Sequence, residues 1–127
     1  MKYKTELYRK RREHLKELFE ELSRNNSPIL VEGKRDRKAL IMGGLNDKRI
    51  IMHHGKSRLQ VEEKLQHYDE IILLLDYDKE GTKLNNHFKQ VFRRIGIKVN
   101  LRYWKKIYEI FDGHIDCIEN LRRYFKP

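Results

Sequence analysis

The sequence has few of the features on which several protein classes depend. It contains one cysteine, Cys117, which excludes an internal disulfide framework and suits a reducing compartment. No apolar run approaches the roughly 20 residues that a membrane span needs. The N-terminal stretch lacks the apolar core of a secretory signal. We therefore expect a cytoplasmic protein with no membrane partner.

Acidic residues are scarce relative to basic ones. The 127 residues include 29 Lys and Arg against 19 Asp and Glu, for a net charge of +10 and a pI near 9.7. A basic surface favours polyanions, so we expect a nucleic-acid partner, either RNA or DNA. Charge alone also fits a basic protein that has no such partner. Hydrophobic residues make up 39% of the chain, enough for a buried core.

The apolar pattern predicts strands that alternate with helices. We expect strands at 29–31, 49–52, 71–75 and 97–104, with helices at 4–24, 34–42, 57–67, 82–94 and 107–125, the last interrupted near 112–113. This order is typical of a three-layer α/β/α fold with a four-stranded parallel sheet in the order 2-1-3-4, plus N-terminal and C-terminal helices. We expect one domain over residues 1–127, with its core at about 28–105.

Acidic residues follow two of the predicted strands. Ile71 to Leu75 is an apolar run that ends at Asp76 and Asp78, and Glu32 follows the first strand. In the order 2-1-3-4 the first and third strands are neighbours, so these acids meet at the crevice beyond the strand ends. Carboxylates held close together are costly without a cation. The pattern therefore predicts a metal site.

Two motifs resemble those of the Toprim domain of topoisomerases, bacterial-type primases and Toprim nucleases. They are V-E-G-K-R-D at Val31 to Asp36 and L-D-Y-D-K-E-G at Leu75 to Gly81. The resemblance spans about residues 28–105, and the chain is similar to the free-standing small Toprim proteins of archaea and bacteria. It implies that Asp76 and Asp78 hold Mg²⁺, with Mn²⁺ as the alternative ion. It also implies that Glu32 is a general acid/base that helps to bind the metal.

The acids also have a purely structural interpretation, in which they cap helices or pair with Lys34 and Lys79. Lys34 is a candidate catalytic residue that contacts substrate phosphate, while an ion pair with Asp36 is an equally open alternative. Asp76, Asp78 and Glu32 outnumber what a helix cap needs, since one acid is enough for a cap. The metal interpretation is therefore favoured.

Further candidates for phosphate or nucleic-acid binding are residues at turns, whose backbone amides can approach an anion. They are Gly33, Lys34, Gly55, Lys56, Ser57 and Gly81. Gly33 and Gly81 have the alternative of serving only as turn residues, and for Gly55, Lys56 and Ser57 an ordinary strand-to-helix turn is favoured over phosphate binding. His53 and His54 lack partners at zinc spacing, which argues against a zinc site. Alternation directs Tyr77 away from the acids and into packing, and we expect Trp104 in the core or on an edge strand.

These features favour Mg²⁺-dependent phosphodiester chemistry on nucleic acid, most simply a small nuclease that acts on structured RNA or on DNA. The RNA preference is implied by the ribonuclease branch of the resemblance. We expect neither a complete topoisomerase nor a primase, because the additional modules that these need are absent from the sequence. The alternative is a non-catalytic module that binds nucleic acid with protein partners in an RNA-processing or DNA-repair complex. A receiver-like phosphoacceptor domain is disfavoured, since the acid pair on its first strand is missing.

Overall fold

In the computed structural model, the backbone is described for residues 2–126 and the side chains for residues 5–126. Helices and strands alternate along most of the chain, and short 3₁₀ turns occur at Asp47–Arg49 and Ile118–Leu121. In chain order, the α-helices and strands are α1 (Lys2–Arg24), β1 (Ile29–Val31), α2 (Lys34–Met42), β2 (Ile50–Met52), α3 (Arg58–Leu65), β3 (Glu70–Leu73), α4 (Lys79–Arg94), β4 (Lys98–Asn100), α5 (Arg102–Ile110) and α6 (Arg122–Phe125).

The four strands form one parallel sheet in the order β2-β1-β3-β4, which confirms the predicted topology. Leu30 of β1 pairs with Ile51 on one side and with Leu73 on the other. The chain leaves β1 toward β2 in one direction and leaves β3 toward β4 in the other. The crevice beyond the ends of β1 and β3 is therefore the position at which open α/β sheets bind ligands.

Alternate strand residues point to opposite faces of the sheet, and each face is covered by helices. Ile29 and Val31 pack on the side of α1, α2, α5 and the C-terminal segment. Leu30 packs on the other side, against apolar residues of α3 and α4 such as Phe88. The three-layer α/β/α architecture is confirmed. Within the described part of the chain, no helix combines the length and the apolar character that crossing a membrane requires.

The fourth strand is shorter than the sequence predicts. The alternating residues at 97–104 indicated a strand as far as Trp104, but β4 ends at Asn100 and α5 begins at Arg102. The Asn100 side chain accepts a hydrogen bond from the Arg102 amide at 2.9 Å, and this local bond competes with the strand ladder. Trp104 therefore lies on a helix, so the prediction of a strand there was wrong.

The predicted C-terminal helix at 107–125 is divided into separate pieces. The chain turns at Asp112 and Gly113, which have positive φ angles of 52° and 78°, and this confirms the predicted interruption. Only Ile118–Leu121 and α6 regain a helical form beyond that turn, and residues 114–117 are irregular.

Trp104 connects α5 to the strand end that carries the acids. Its Nε1–H donates to the Leu75 carbonyl at 2.8 Å, and its ring stacks on Tyr77 with centroids 4.5 Å apart. The Tyr77 hydroxyl in turn donates to the Trp104 carbonyl at 2.7 Å. Burial raises the pKa of Tyr77 further above its ordinary value. The structure thus places Tyr77 in packing, as its alternation predicts.

We expect Trp104→Phe to lower the free energy of unfolding by about 1–3 kcal/mol, because the substitution leaves the buried Leu75 carbonyl without its donor. Urea denaturation of the purified variant measures this change. The control is Tyr68→Phe at an exposed position, which should alter stability little. Equal denaturation midpoints for Trp104→Phe and the control would contradict a supporting role for the indole N–H.

Candidate functional site

Glu32 and Asp76 lie side by side where β1 and β3 end. The Leu74 amide donates to the Leu30 carbonyl at 2.9 Å, which continues the pairing of these strands toward their C-terminal ends. Both acids line an open pocket of about 380 Å³ together with the residues that follow Glu32 and with neighbours from two other segments. These residues are Gly33, Lys34, Arg35, Asp36, His53, His54 and Glu119. The predicted meeting of Glu32 with Asp76 is therefore present in the structure, whereas Asp78 is not among the residues that line this pocket.

The Glu32 carboxyl is in an electrostatically unfavourable position. Its Oε1 is buried and finds no hydrogen-bond partner among the described residues. Burial, and then the charges of Asp76 and Asp78, raise the pKa of Glu32 to about 7. Burial also raises the pKa of Asp76, although the Ile118 amide donates to Asp76 Oδ1 at 2.8 Å and opposes the rise. A proton or a cation between these groups would relieve their repulsion.

Asp78 caps a helix and is also positioned to act as a metal ligand. Its Oδ1 accepts the Gly81 amide at 2.7 Å, so it caps the start of α4, as the structural interpretation of the acids proposed. The residue is exposed. A carboxylate has two oxygens with several lone pairs, so one helix-cap bond leaves capacity for another partner. Capping and metal binding are therefore compatible at Asp78.

Two predicted glycines stand at the acid-bearing turns for different reasons. The Gly33 amide donates to Asp36 Oδ2 at 3.1 Å, and the position of a Cβ at Gly33 meets nothing within 4 Å. A Cβ at Gly81 would lie 2.1 Å from the Asp76 carbonyl oxygen, so only glycine fits there. Both amides are engaged by carboxylates, and their approach to a phosphate remains a prediction.

The remaining predicted residues divide between the pocket and the adjacent turn. Lys34 is exposed, begins α2 and lines the pocket. Gly55, Lys56 and Ser57 follow β2 and lie outside the set of described residues that line it. Gly55 has a φ of +82°, the Lys56 ammonium donates to the Met52 carbonyl at 3.3 Å, and Ser57 caps α3 by accepting the Gln60 amide. Their proposed phosphate contacts stay predictions.

Asp36 is a buried member of the site that the sequence did not single out as functional. It is 6% exposed, and its two oxygens accept the amides of Gly33 and Glu119. These backbone amides, rather than Lys34, satisfy the carboxylate. Burial, and then the charge of Asp76, raise the pKa of Asp36 to about 6. A reader of the sequence alone could have suspected it from its place in the V-E-G-K-R-D motif.

The C-terminal segment also reaches the site, which the sequence did not predict. The Tyr77 amide donates to the Asp116 carbonyl at 2.7 Å, and Ile118 and Glu119 donate to Asp76 and Asp36. This contact brings Cys117 beside the acids. Burial, and then the charges of Asp76 and Asp78, raise the pKa of the Cys117 thiol to about 11. No local sequence pattern signals these bonds, because the partners lie far apart in the chain.

The side chains present fit a divalent cation. Ligand atoms of Asp76, Asp78 and Cys117 all lie within 4.8 Å of one another, and the buried Oε1 of Glu32 is unpartnered among the described atoms. Carboxylate oxygens are the ligands that Mg²⁺ and Mn²⁺ prefer. Asp76 and Asp78 are thus the residues best placed to hold an ion, with Glu32 alongside.

In a chelator, we expect the free energy of unfolding to fall as the pH rises from about 4 to about 7. A carboxyl with a higher pKa in the folded state binds its proton more tightly there. Its contribution is complete below the unfolded pKa and is lost as the pH rises through the folded pKa. The pKa of Glu32 is raised from 4.5 to about 7 and that of Asp36 from 3.8 to about 6, and these two shifts set the pH window. Urea denaturation across the window measures it, and Glu32→Gln should flatten the slope. A wild-type stability that rises with pH there would contradict the prediction.

Comparisons with known proteins agree with this geometry. A family model described as the Toprim domain matches residues 27–111. A UPF0292 protein of Methanocaldococcus jannaschii is 36% identical over 115 residues, which cover 88% of this chain and 90% of the relative. A UPF0292 protein of Methanosarcina barkeri is 32% identical over 123 residues, which cover 94% and 85%. A solved structure from Aquifex aeolicus aligns with a TM-score of 0.70 at 28% identity, covering 82% of this chain and 94% of that one.

Proposed function

Because the chain belongs to the Toprim domain family, whose members bind divalent metals and are associated with nucleic acids, we propose that it is a Mg²⁺-dependent nuclease. The preferred substrate class is structured RNA, with DNA as the alternative. The observation that carries the proposal is the buried, unpartnered Oε1 of Glu32 beside Asp76 at the ends of two neighbouring strands. A carboxylate with a purely structural role is expected to accept hydrogen bonds at its buried oxygens, as both oxygens of Asp36 do.

The acids take separate roles in the proposed reaction. Asp76 and Asp78 would hold the cation, which when bound would neutralise phosphate charge and make a bound water more acidic. Glu32 holds or releases a proton at its carboxyl, and a pKa near 7 makes both states accessible at neutral pH. Glu32 would act as the base in its deprotonated state, which a nearby cation would favour.

Basic residues supply the electrostatic attraction for the substrate. Lys34 and Arg35 are exposed at the pocket rim, next to the acids. The net charge of +10 attracts a polyanion to the protein as a whole, because the negative charge of the site is confined to the acidic pocket. Lys34 is the residue that we assign to contact with a substrate phosphate, because it is the first residue of α2 beside Glu32.

A non-catalytic nucleic-acid-binding module is the second candidate. The observation that favours it is the same positive charge, which would bind nucleic acid whether or not the acidic residues catalyse its cleavage. Binding of this kind weakens steeply with salt. A variant with Glu32→Gln, Asp76→Asn and Asp78→Asn that binds RNA as well as the wild type, when the wild type cuts nothing, would favour this candidate.

Incubation with mixed structured RNAs and DNAs tests the proposed activity. The protein is supplied with Mg²⁺, with Mn²⁺ or with a chelator, and new ends are mapped by sequencing or end-labelling. We expect cut ends that depend on the cation, with more of them in RNA than in DNA. Unchanged substrates in both cations, or cleavage that persists in the chelator, would refute the proposed nuclease.

A further inference from the structure

Cys117 lies where a metal ligand would lie. Its Sγ is within 4.8 Å of a carboxylate oxygen of both Asp76 and Asp78. The residue is only half-buried, and it comes from the irregular segment between α5 and the 3₁₀ turn at Ile118–Leu121. It is also the one cysteine in the sequence. One oxygen of each carboxylate and the thiol sulfur thus have the mutual spacing of three ligands around one metal ion.

Two hydrogen bonds fix the position of this thiol. The residue before it, Asp116, accepts the Tyr77 amide at 2.7 Å, and the residue after it, Ile118, donates to Asp76 Oδ1 at 2.8 Å. The backbone on both sides of Cys117 is therefore attached to the same turn that carries Asp76 and Asp78. The backbone that carries the thiol is thus held near these acids before any ligand arrives, which lowers the cost of assembling a site.

We propose that Cys117 is a third protein ligand at the Asp76–Asp78 site for thiophilic divalent cations of the Zn²⁺ and Co²⁺ type. This inference rests on the metal site of the proposed function. Mg²⁺ binds oxygen and leaves the thiol uncoordinated, whereas softer ions form a bond to sulfur and release the thiol proton to the solvent. Two carboxylates and one thiolate together carry more negative charge than Asp76 and Asp78 alone, which further favours a bound cation.

The consequence is a site that distinguishes between cations. Through Cys117, a Zn²⁺-like ion gains a bond that Mg²⁺ does not use, and it therefore displaces Mg²⁺ at lower concentration. Because Asp78 and Asp76 serve both ions, the two cations compete rather than bind together. We expect Zn²⁺ or Co²⁺ to change the activity of the Mg²⁺-loaded protein by occupying this position.

Co²⁺ titration of the full chain in the presence of a non-thiol reductant tests the proposal. Co²⁺ bound by a thiolate has a charge-transfer absorption in the near ultraviolet, and only Cys117 can supply that thiolate. We expect the band in the wild type and its loss in Cys117→Ser. Co²⁺ affinity should fall roughly tenfold or more in this variant, since loss of even an outer-shell partner has an effect of that size. Calorimetry of Mg²⁺ binding should give nearly equal affinities for the wild type and Cys117→Ser.

The outcomes separate this inference from the proposed function. Co²⁺ binding of equal affinity in the wild type and Cys117→Ser, without the thiolate band, would overturn the role of Cys117 while leaving the metal site in place. Failure of the wild type to bind either Co²⁺ or Mg²⁺ would overturn both. A thiolate band in a protein that cuts no nucleic acid would support the Cys117 ligand and refute the nuclease.

Discussion

Glu32→Gln is expected to lower the rate of Mg²⁺-dependent cleavage by about 10²–10⁴-fold, the range that a positioned acid or base contributes. Glutamine keeps the size of the side chain but can neither take up nor release the proton. The substitution also removes a carboxyl whose pKa is raised to about 7 by burial and by two neighbouring acids, so the fold should lose no stability at neutral pH. Single-turnover rates and urea denaturation of the same preparations measure the two effects.

The matched control is Glu63→Gln, an exposed acid on α3 that changes the net charge by the same amount. Its cleavage rate should equal that of the wild type. If Glu32→Gln and Glu63→Gln cut equally fast, Glu32 is not the proton-handling group. The rate of the wild type should also increase as Glu32 loses its proton, and this pH dependence should disappear in Glu32→Gln.

Gly81→Ala is expected to destabilise the protein by about 3 kcal/mol, as overpacking at a close contact does. The added Cβ would lie 2.1 Å from the Asp76 carbonyl oxygen, so the start of α4 and the end of β3 must separate. In an ordinary helical position the same substitution would stabilise by about 1 kcal/mol. A loss of stability rather than a gain would therefore identify the close contact with Asp76 as the cause. Urea denaturation gives the stability, and loss of Mn²⁺ affinity should accompany the shift of Asp76.

Gly33→Ala provides the control at the corresponding turn after β1. Its φ of −146° suits any residue, and a Cβ there meets nothing within 4 Å. We expect a change of less than about 1 kcal/mol, the scale of a helix-cap substitution. Equal destabilisation by Gly33→Ala and Gly81→Ala would show that the contact with Asp76 is not what requires glycine.

The fold was predictable because its core strands carry strong local signals. The apolar run that ends at Asp76 predicted β3, and the alternation of strands and helices led to the order 2-1-3-4, which the structure confirms. The prediction failed after β4. There, one Asn100 side chain accepts the Arg102 amide and starts α5 within a stretch that alternates like a strand. A single side-chain-to-backbone bond of this kind outweighs a weak periodicity.

The site was predictable only in part, for a similar reason. Glu32 and Asp76 follow strands that the topology makes neighbours, so their meeting followed from the strand order. Cys117 and Glu119 lie at the same site because the backbone amides of Ile118 and Glu119 donate to distant carboxylates. Glu119 and its acceptor Asp36 are 83 residues apart in the chain. Bonds at such separation leave no trace in local spacing. Asp36 belongs to the V-E-G-K-R-D motif, but its burial is evident only from the structure.

Together these features describe a concentration of acids within a basic protein. The strand order brings the carboxylates together, the C-terminal segment closes one side, and Lys34 and Arg35 stand at the rim. Repulsion among the acids is the physical reason to expect a cation, and the surrounding positive charge is the reason to expect a polyanion. The strand order that forms this cluster therefore accounts for both expected partners, a divalent cation and a nucleic acid.

The most direct test of the metal centre is equilibrium binding of Mn²⁺, followed by the electron paramagnetic resonance signal of the free ion. We predict that the wild type and Asp116→Asn, an exposed acid next to the site, bind Mn²⁺ equally well. The Asp76→Asn/Asp78→Asn variant should bind at least about a hundredfold more weakly, at the upper end of losses seen even for outer-shell groups. Equal Mn²⁺ affinity in the double variant and the wild type would contradict the assignment of these acids as the metal centre.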